Sequence, residues 1–241
     1  MKPYYQTIAP DYARHRRIHA GVLDGLISTA RLGPSSSVLE LGCGTGNYLA
    51  ALDEAAACQC WGIDPSEAML AEARTTCPKA RFSCALAESV AVPSDHFDLV
   101  FAVDVIHYIA DRPQAFQECR RVLRANGNLC LVTDSPEIIR TREPLSTYFP
   151  ETVEAELARY PSLVTLGEEL RTAGFSDIAE AKVEYRGELA DIEPYRAKVF
   201  SSLRLISQAA YERGLQRMES DLTSRPISCV SRYVMLCAKK S

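Results

Sequence analysis

The segment Val38-Leu-Glu-Leu-Gly-Cys-Gly-Thr-Gly-Asn47 constrains this chain more than any other. A short apolar run carries a carboxylate, Glu40, near its end. Glycines then recur at alternate positions, Gly42, Gly44 and Gly46, before Asn47 opens an amphipathic stretch. Glycine lets the backbone turn sharply and approach a ligand closely, and the first turn of a helix offers unpaired N–H groups. The pattern therefore predicts a strand, a tight loop and a helix with a nucleoside-type ligand against the loop. Glu40, Gly42, Cys43, Gly44 and Asn47 are the residues placed to touch it.

Further apolar runs at 61–63, 80–83, 99–103 and 129–133 are bounded by turn-forming residues and alternate with helical patterns at 48–57, 67–76 and 113–124. Ser66 is placed to cap the helix at Glu67, and Asp111 with Pro113 opens the next. Thr165-Leu-Gly-Glu168 reads as a capping box ahead of a helix ended by Gly174. Such alternation predicts an α/β fold: a doubly wound, mostly parallel, seven-stranded sheet, completed by runs near 178–185 and 233–238. Before the first strand, 12–31 reads as one helix. After Asp134 the alternation fails, leaving a Pro-interrupted helical stretch at 136–161 and an amphipathic helix at 195–221. One domain is expected, divided into a helical segment at 1–34, a ligand-binding core at 35–134, capping helices and sheet completion at 135–225, and a last strand at 226–241.

A formal net charge of -4 leaves no basic footprint, so nucleic acid is not expected as a partner. No apolar run reaches the ~20 residues of a membrane-spanning helix, and Met1–Pro10 does not read as an export signal, so a cytoplasmic protein is expected. The nine cysteines are scattered through apolar stretches and read as small buried hydrophobes, their odd number opposing a full disulfide framework. Cys58 and Cys60 would share one strand face as packing residues. No metal site is expected, because no set with zinc-ligand spacing is present.

The dinucleotide fingerprint Gly-x-Gly-x-x-Gly would need glycine where Asn47 stands, and Glu40 would repel a pyrophosphate. The order Glu40-x-Gly42-x-Gly44-x-Gly46 instead resembles the first motif of class I S-adenosylmethionine-dependent methyltransferases, whose donor carries an ammonium group. Asp64-Pro65-Ser-Glu-Ala-Met69-Leu70 resembles the second motif. The resemblance implies that Asp64 accepts from the ribose hydroxyls and that Met69 lies against adenine, although ordinary helix core suits Met69 equally. Phe82–Pro93 is similar to the third region, except that the usual adenine-reading aspartate falls on Leu86. Backbone atoms near Ala87 and the Glu88 carboxylate are then the candidates to read adenine, with a solvated loop charge the equal alternative for Glu88. Phe97–Ile109 resembles the fourth strand and its turn, bringing Val103 to the donor and His107 to the site's edge. Tyr5–Arg16 is similar to the N-terminal lid of quinone- and small-molecule-methylating members, where the residue matching Tyr12 covers the donor's methionine end. Arg14, Arg16 and Arg17 fit a solvated helix face as readily as they fit the donor's carboxylate.

The resemblance, which spans about 12–134, implies methyl transfer from S-adenosyl-L-methionine to an O, N or C atom of a small organic acceptor. S-adenosyl-L-homocysteine is the product. His107 is the candidate general base, its alternative a structural histidine that fixes the turn. Tyr148, Phe149, Tyr195, Phe200 and Arg204 are candidates to meet the acceptor. Arsenite methylation, suggested by the cysteines, and a non-catalytic donor-binding regulatory module remain as other readings. A monomer or a homodimer is expected.

Overall fold

Buried strands sort their side chains to two faces, and that sorting organises the molecule. The strands are β1 (Ser37–Leu41), β2 (Gln59–Asp64), β3 (Arg81–Cys84), β4 (Phe97–Val103), β5 (Leu123–Thr133), β6 (Phe175–Leu189) and β7 (Ile227–Lys240). Leu39, Leu41, Val100, Ala102, Leu129 and Leu131 join Phe116 and Leu170 in one core. Val38, Leu99, Phe101, Cys130 and Val132 join Val22, Leu26, Leu49 and Leu52 in a second core on the opposite face. The period of two within each strand makes both faces apolar, as a sheet covered on both sides requires. The structure is a computed structural model that describes residues 5–189 and 191–241. The first four residues of the expected N-terminal segment lie outside the described residues.

The sheet order is β3-β2-β1-β4-β5-β7-β6. β1 to β5 pair in parallel, while β7 slots between β5 and β6 and runs antiparallel to both. Helices α3 (Asn47–Ala56), α4 (Glu67–Thr76) and α5 (Arg112–Val122) connect the parallel strands, so the doubly wound sheet expected from the sequence is the one observed. Ser66 and Asp111 cap α4 and α5 by accepting from the backbone N–H groups of Met69 and Gln114. Because neighbouring strands are parallel, the ends of β1, β2 and β4 open on the same edge, where doubly wound folds bind ligands.

Several local expectations are corrected. The helix expected over 12–31 is two helices, α1 (Tyr5–His15) and α2 (Ala20–Ala30). Between them the backbone is drawn to the head of α3: Asn47 Nδ2 donates to the Arg16 carbonyl at 3.0 Å, and the His19 N–H to the Tyr48 hydroxyl at 3.0 Å. Helix α9 (Leu163–Thr172) is capped by Ser162, which accepts from the Thr165 N–H at 3.0 Å, so Thr165 sits inside the first turn rather than at the cap. The helix expected over 195–221 divides into α10 (Glu193–Arg196), a 3-10 turn at Ser201–Arg204, and α11 (Gln208–Ser224), the last capped by Ser207. The stretch 136–161 holds three short helices, α6 (Pro136–Arg140), α7 (Leu145–Tyr148) and α8 (Thr152–Leu157). These pieces form a cap with a core of its own, including Tyr148, Phe149, Tyr195, Leu203, Tyr211 and Met218. Close packing there needs a glycine: a Cβ on Gly214 would lie 2.4 Å from the Phe149 ring.

Most of the cysteines are buried as expected, but Cys84 is exposed, Cys229 is half-buried and one pair is bonded. Cys43, Cys58, Cys60, Cys77 and Cys119 are buried and free. Cys130 and Cys237, however, are register partners across β5 and β7 and are joined as a disulfide. Antiparallel pairing brings their Cα atoms to 4.2 Å, a proximity that 107 residues of separation do not disclose. Among the described residues no helix is long and apolar enough to cross a membrane, and no group of three or more His, Cys, Asp or Glu is placed to hold a metal ion.

Candidate active site

A cavity of about 450 Å³ opens at the ends of β1, β2 and β4, beneath α1. Its wall includes Glu40, Gly42, Cys43, Gly44, Asn47, Asp64, Pro65, Met69, Val103, His107 and, from α1, Tyr12. Gly42 and Gly44 have φ of 63° and 51°, a left-handed conformation that favours glycine. A Cβ on Gly42 would meet Val105 at 2.5 Å. Asp64 is fixed at the end of β2, its Oδ2 accepting from the Gly44 N–H at 3.0 Å and its Oδ1 from the Ser66 N–H at 2.8 Å. Glu40 is buried, and its Oε2 has no hydrogen-bond partner among the described residues. Burial, followed by the charge of Asp64, pushes the Glu40 carboxyl well above its usual range. A buried carboxylate without a partner on the wall of a cavity is poised for a cationic, hydrogen-bonding ligand.

Two of the residues expected to read adenine lie elsewhere. Ala87 and Glu88 are not among the residues lining the cavity. Ala87 packs against the core on one sheet face, and Glu88 Oε1 accepts from the Asp111 N–H at 3.2 Å, tying its loop to the head of α5. Leu86 occupies the wall instead, so the cavity is apolar there. Met69 is core and wall at once: it is buried against Ala9 and Tyr12, which hold α1 down on α4.

A second cavity, of about 490 Å³, lies between the sheet and the cap. The two share Tyr12, Arg16, Arg17, Ile18, Asp104, Tyr108 and Tyr233 as common wall. Its apolar side is made by Leu189, Pro194, Tyr195, Val199 and Phe200, whereas Tyr148, Phe149 and Arg204, expected from the sequence to meet an acceptor, are not among its lining residues. Its polar side is a web of paired charges. Arg142 pairs with Asp134 and Glu156, and Arg159 pairs with Glu156 while donating to the Tyr108 hydroxyl at 2.9 Å and to Ser201 at 2.7 Å. Burial pushes the Asp134 carboxyl up to about 7 against the pull of Arg142.

Asp104 stands where the two cavities meet. It accepts from the Tyr160 hydroxyl at 2.5 Å and from Arg16 at 3.1 Å. Burial works to raise its carboxyl, but His107, Arg16, Arg142 and the Tyr160 hydroxyl together hold it below its ordinary value. His107 lies in a 3-10 turn, its ring stacked on Tyr160 at 4.0 Å, and it borders the first cavity but is not among the lining residues of the second. Sequence reasoning missed Asp104, Arg142, Glu156, Arg159, Tyr160 and Tyr233. Only Asp104 carried a signal, as the first polar residue beyond an apolar strand on the ligand-binding edge.

A family model described as a methyltransferase domain matches residues 39–131, the segment that builds the first cavity. Among curated relatives, the ubiquinone biosynthesis O-methyltransferase of Bradyrhizobium diazoefficiens is 30% identical over 100 residues, 40% of this chain and 39% of that protein. The chain spans less than half the length of the curated relatives it matches first. Among solved structures, the chain is similar to an Anabaena variabilis protein provisionally named a methyltransferase of an antibiotic biosynthesis pathway. That likeness has a TM-score of 0.72 at 23% identity and covers 92% of this chain and 98% of the other. It is also similar to phosphoethanolamine N-methyltransferase 2 of Haemonchus contortus, solved with phosphomonomethylethanolamine and S-adenosylhomocysteine. There the TM-score is 0.63 at 19% identity, over 99% of this chain and 58% of that one. Identities this low establish a shared fold, and they agree with the sheet described above.

Proposed function

We propose that this chain binds S-adenosylmethionine in the 450 Å³ cavity and transfers its methyl group to an O, N or C atom of a small organic acceptor in the adjoining 490 Å³ cavity. The observation that carries this reading is the buried Glu40 carboxylate, unpartnered at Oε2, beside a glycine loop and the fixed Asp64. Glu40 faces the donor's cationic end and Asp64 its ribose. Met69 and Leu86 provide an apolar face for adenine, and the Tyr12 ring lies where a sulfonium gains from its π face.

A sulfonium methyl is already activated, so the protein's work is alignment and exclusion of water. The bond from sulfur to methyl breaks as the bond from methyl to the acceptor forms, leaving a neutral thioether. An acceptor that meets the donor across the common wall would have its reacting atom near Asp104, Tyr108 and Tyr233, which line both cavities. The arginines on the polar side are already matched by carboxylates, so the acceptor is held by shape and hydrogen bonding rather than by net charge. His107 is the base for an acceptor that must lose a proton.

Calorimetric titration with S-adenosylmethionine and S-adenosylhomocysteine tests the donor site, followed by transfer of labelled methyl into metabolite extracts. Absence of donor binding sinks the reading, and binding with no transfer favours a regulatory module. Once an acceptor is identified, undiminished turnover of His107→Ala at every pH removes the base assignment.

A further inference from the structure

Asp104 is held more tightly than its place on a loop requires. It is the first residue beyond β4, its φ is 56°, and its N–H donates to the Val132 carbonyl at 2.8 Å, so the β4–β5 pairing fixes its backbone. A left-handed conformation at a non-glycine residue persists only where the surroundings over-determine it. Each carboxylate oxygen takes a different cover of the site. Oδ2 accepts from Arg16, which lies in the linker between α1 and α2, and Oδ1 accepts from Tyr160, which follows α8 in the cap.

We propose that Asp104 is the positioning residue of methyl transfer, one carboxylate that latches both the N-terminal lid and the cap, so that the acceptor site is complete only when the lid has closed over the donor. The proposal rests on the donor-binding reading above. Tyr12, Arg16, Arg17 and Ile18 roof the donor cavity and also form part of the acceptor cavity's wall. Lifting this roof to admit a ligand of nucleoside size would separate Arg16 from Asp104. The acceptor cavity then lacks one wall, and Tyr160 alone remains on the carboxylate. Closure over the donor restores the Arg16 contact, which is reinforced by the bond from Asn47 to the Arg16 carbonyl. With Oδ2 engaged, Oδ1 is held in place for Tyr160, whose ring is buttressed by His107. Donor binding therefore orders the cap, and binding is sequential with the donor first.

Hydrogen exchange with and without saturating S-adenosylhomocysteine tests this in the full chain. In the wild type the ligand is expected to slow exchange both in the lid, 5–18, and in the cap, 152–172. Tyr160→Phe removes one hydroxyl and should keep lid protection while losing the ligand-dependent part of cap protection, with ligand affinity falling by no more than that coupling. Asp104→Asn should weaken ligand binding about tenfold and diminish protection in both regions. A merely structural role for Tyr160 would instead raise cap exchange equally with and without ligand. The proposal is overturned if the ligand leaves wild-type cap exchange unchanged, or if Tyr160→Phe retains full ligand-dependent protection. Should Asp104→Asn fail to fold, Tyr160→Phe alone decides. A wild type that neither binds the ligand nor protects its lid overturns the donor-binding reading itself, an outcome distinct from lid protection without cap protection.

Discussion

The donor half and the cap solve the problem of holding a small molecule in opposite ways. Apart from Leu86 and the wall it shares with the acceptor cavity, the donor cavity is made from short contiguous pieces, 40–48, 64–69 and 103–107, at the ends of parallel strands whose register is fixed by two apolar cores. The acceptor cavity gathers residues from positions 12 to 233, among them Leu145, Glu156, Pro194 and Tyr195 on helices of four to six residues. Such helices are too short to persist alone and depend on the cap's own core. A contiguous site is bound to one local geometry and therefore to one kind of ligand. A site assembled from distant pieces can change shape through any of them.

The largest effect should separate the two halves. Phe149 is fully buried in the cap core, and Phe149→Ala is expected to cost about 3–5 kcal/mol of stability in urea unfolding. Its affinity for S-adenosylhomocysteine should change little, and an equally large loss of affinity would show that the halves are not separable. Conversely, Asp64→Ala should weaken donor binding by about 1.5–3 kcal/mol in calorimetry, because charge-assisted ribose bonds are lost, while the unfolding midpoint moves much less. Unchanged affinity would remove Asp64 from the site.

Acidity gives a finer probe. The Glu40 carboxyl is raised in the free protein, so its contribution to folding stability is complete at low pH and is lost as pH rises through the folded value. Donor binding works in the other direction, because a cation favours the carboxylate. Affinity should rise with pH by up to about tenfold per unit, with protons released on binding, and level off above the free protein's value. Glu40→Gln should abolish both the slope and the proton release. The smallest effect concerns the apolar adenine end: Leu86→Asp offers an acceptor to the adenine amino group and should tighten donor binding by about 0.5–1.5 kcal/mol. Weaker binding by this variant would mean that adenine uses Leu86 as an apolar wall.

What could be read from the sequence follows the same division. Ser66 and Asp111 were legible as caps because capping is a contact across three residues, and Glu40 and Asp64 were legible because strand ends on one sheet edge converge. The helix over 12–31 broke because Asn47 and Tyr48, on another element, capture its middle. The cap expected at Thr165 falls on Ser162, three residues earlier, whose side chain accepts from the Thr165 N–H. The roles of Arg142, Arg159 and Tyr160 depend on partners that periodicity cannot bring together, and Ala87 and Glu88 were displaced because their loop is tied to α5.

Thr133 at the end of β5 and Val234 in β7 are register partners in adjacent strands. The hundred residues between them hold the cap, α9, β6 and the first part of β7, so this stretch both covers the sheet and completes it. Most of the acceptor cavity belongs to it, whereas the glycine loop, Asp64 and Asp104 lie before it. Its cap segments, 136–160 and 191–224, could be lengthened, shortened or exchanged for others without disturbing the pairing of β1, β2 and β4, which gives the architecture an evolutionary route to new acceptors on an unaltered donor platform.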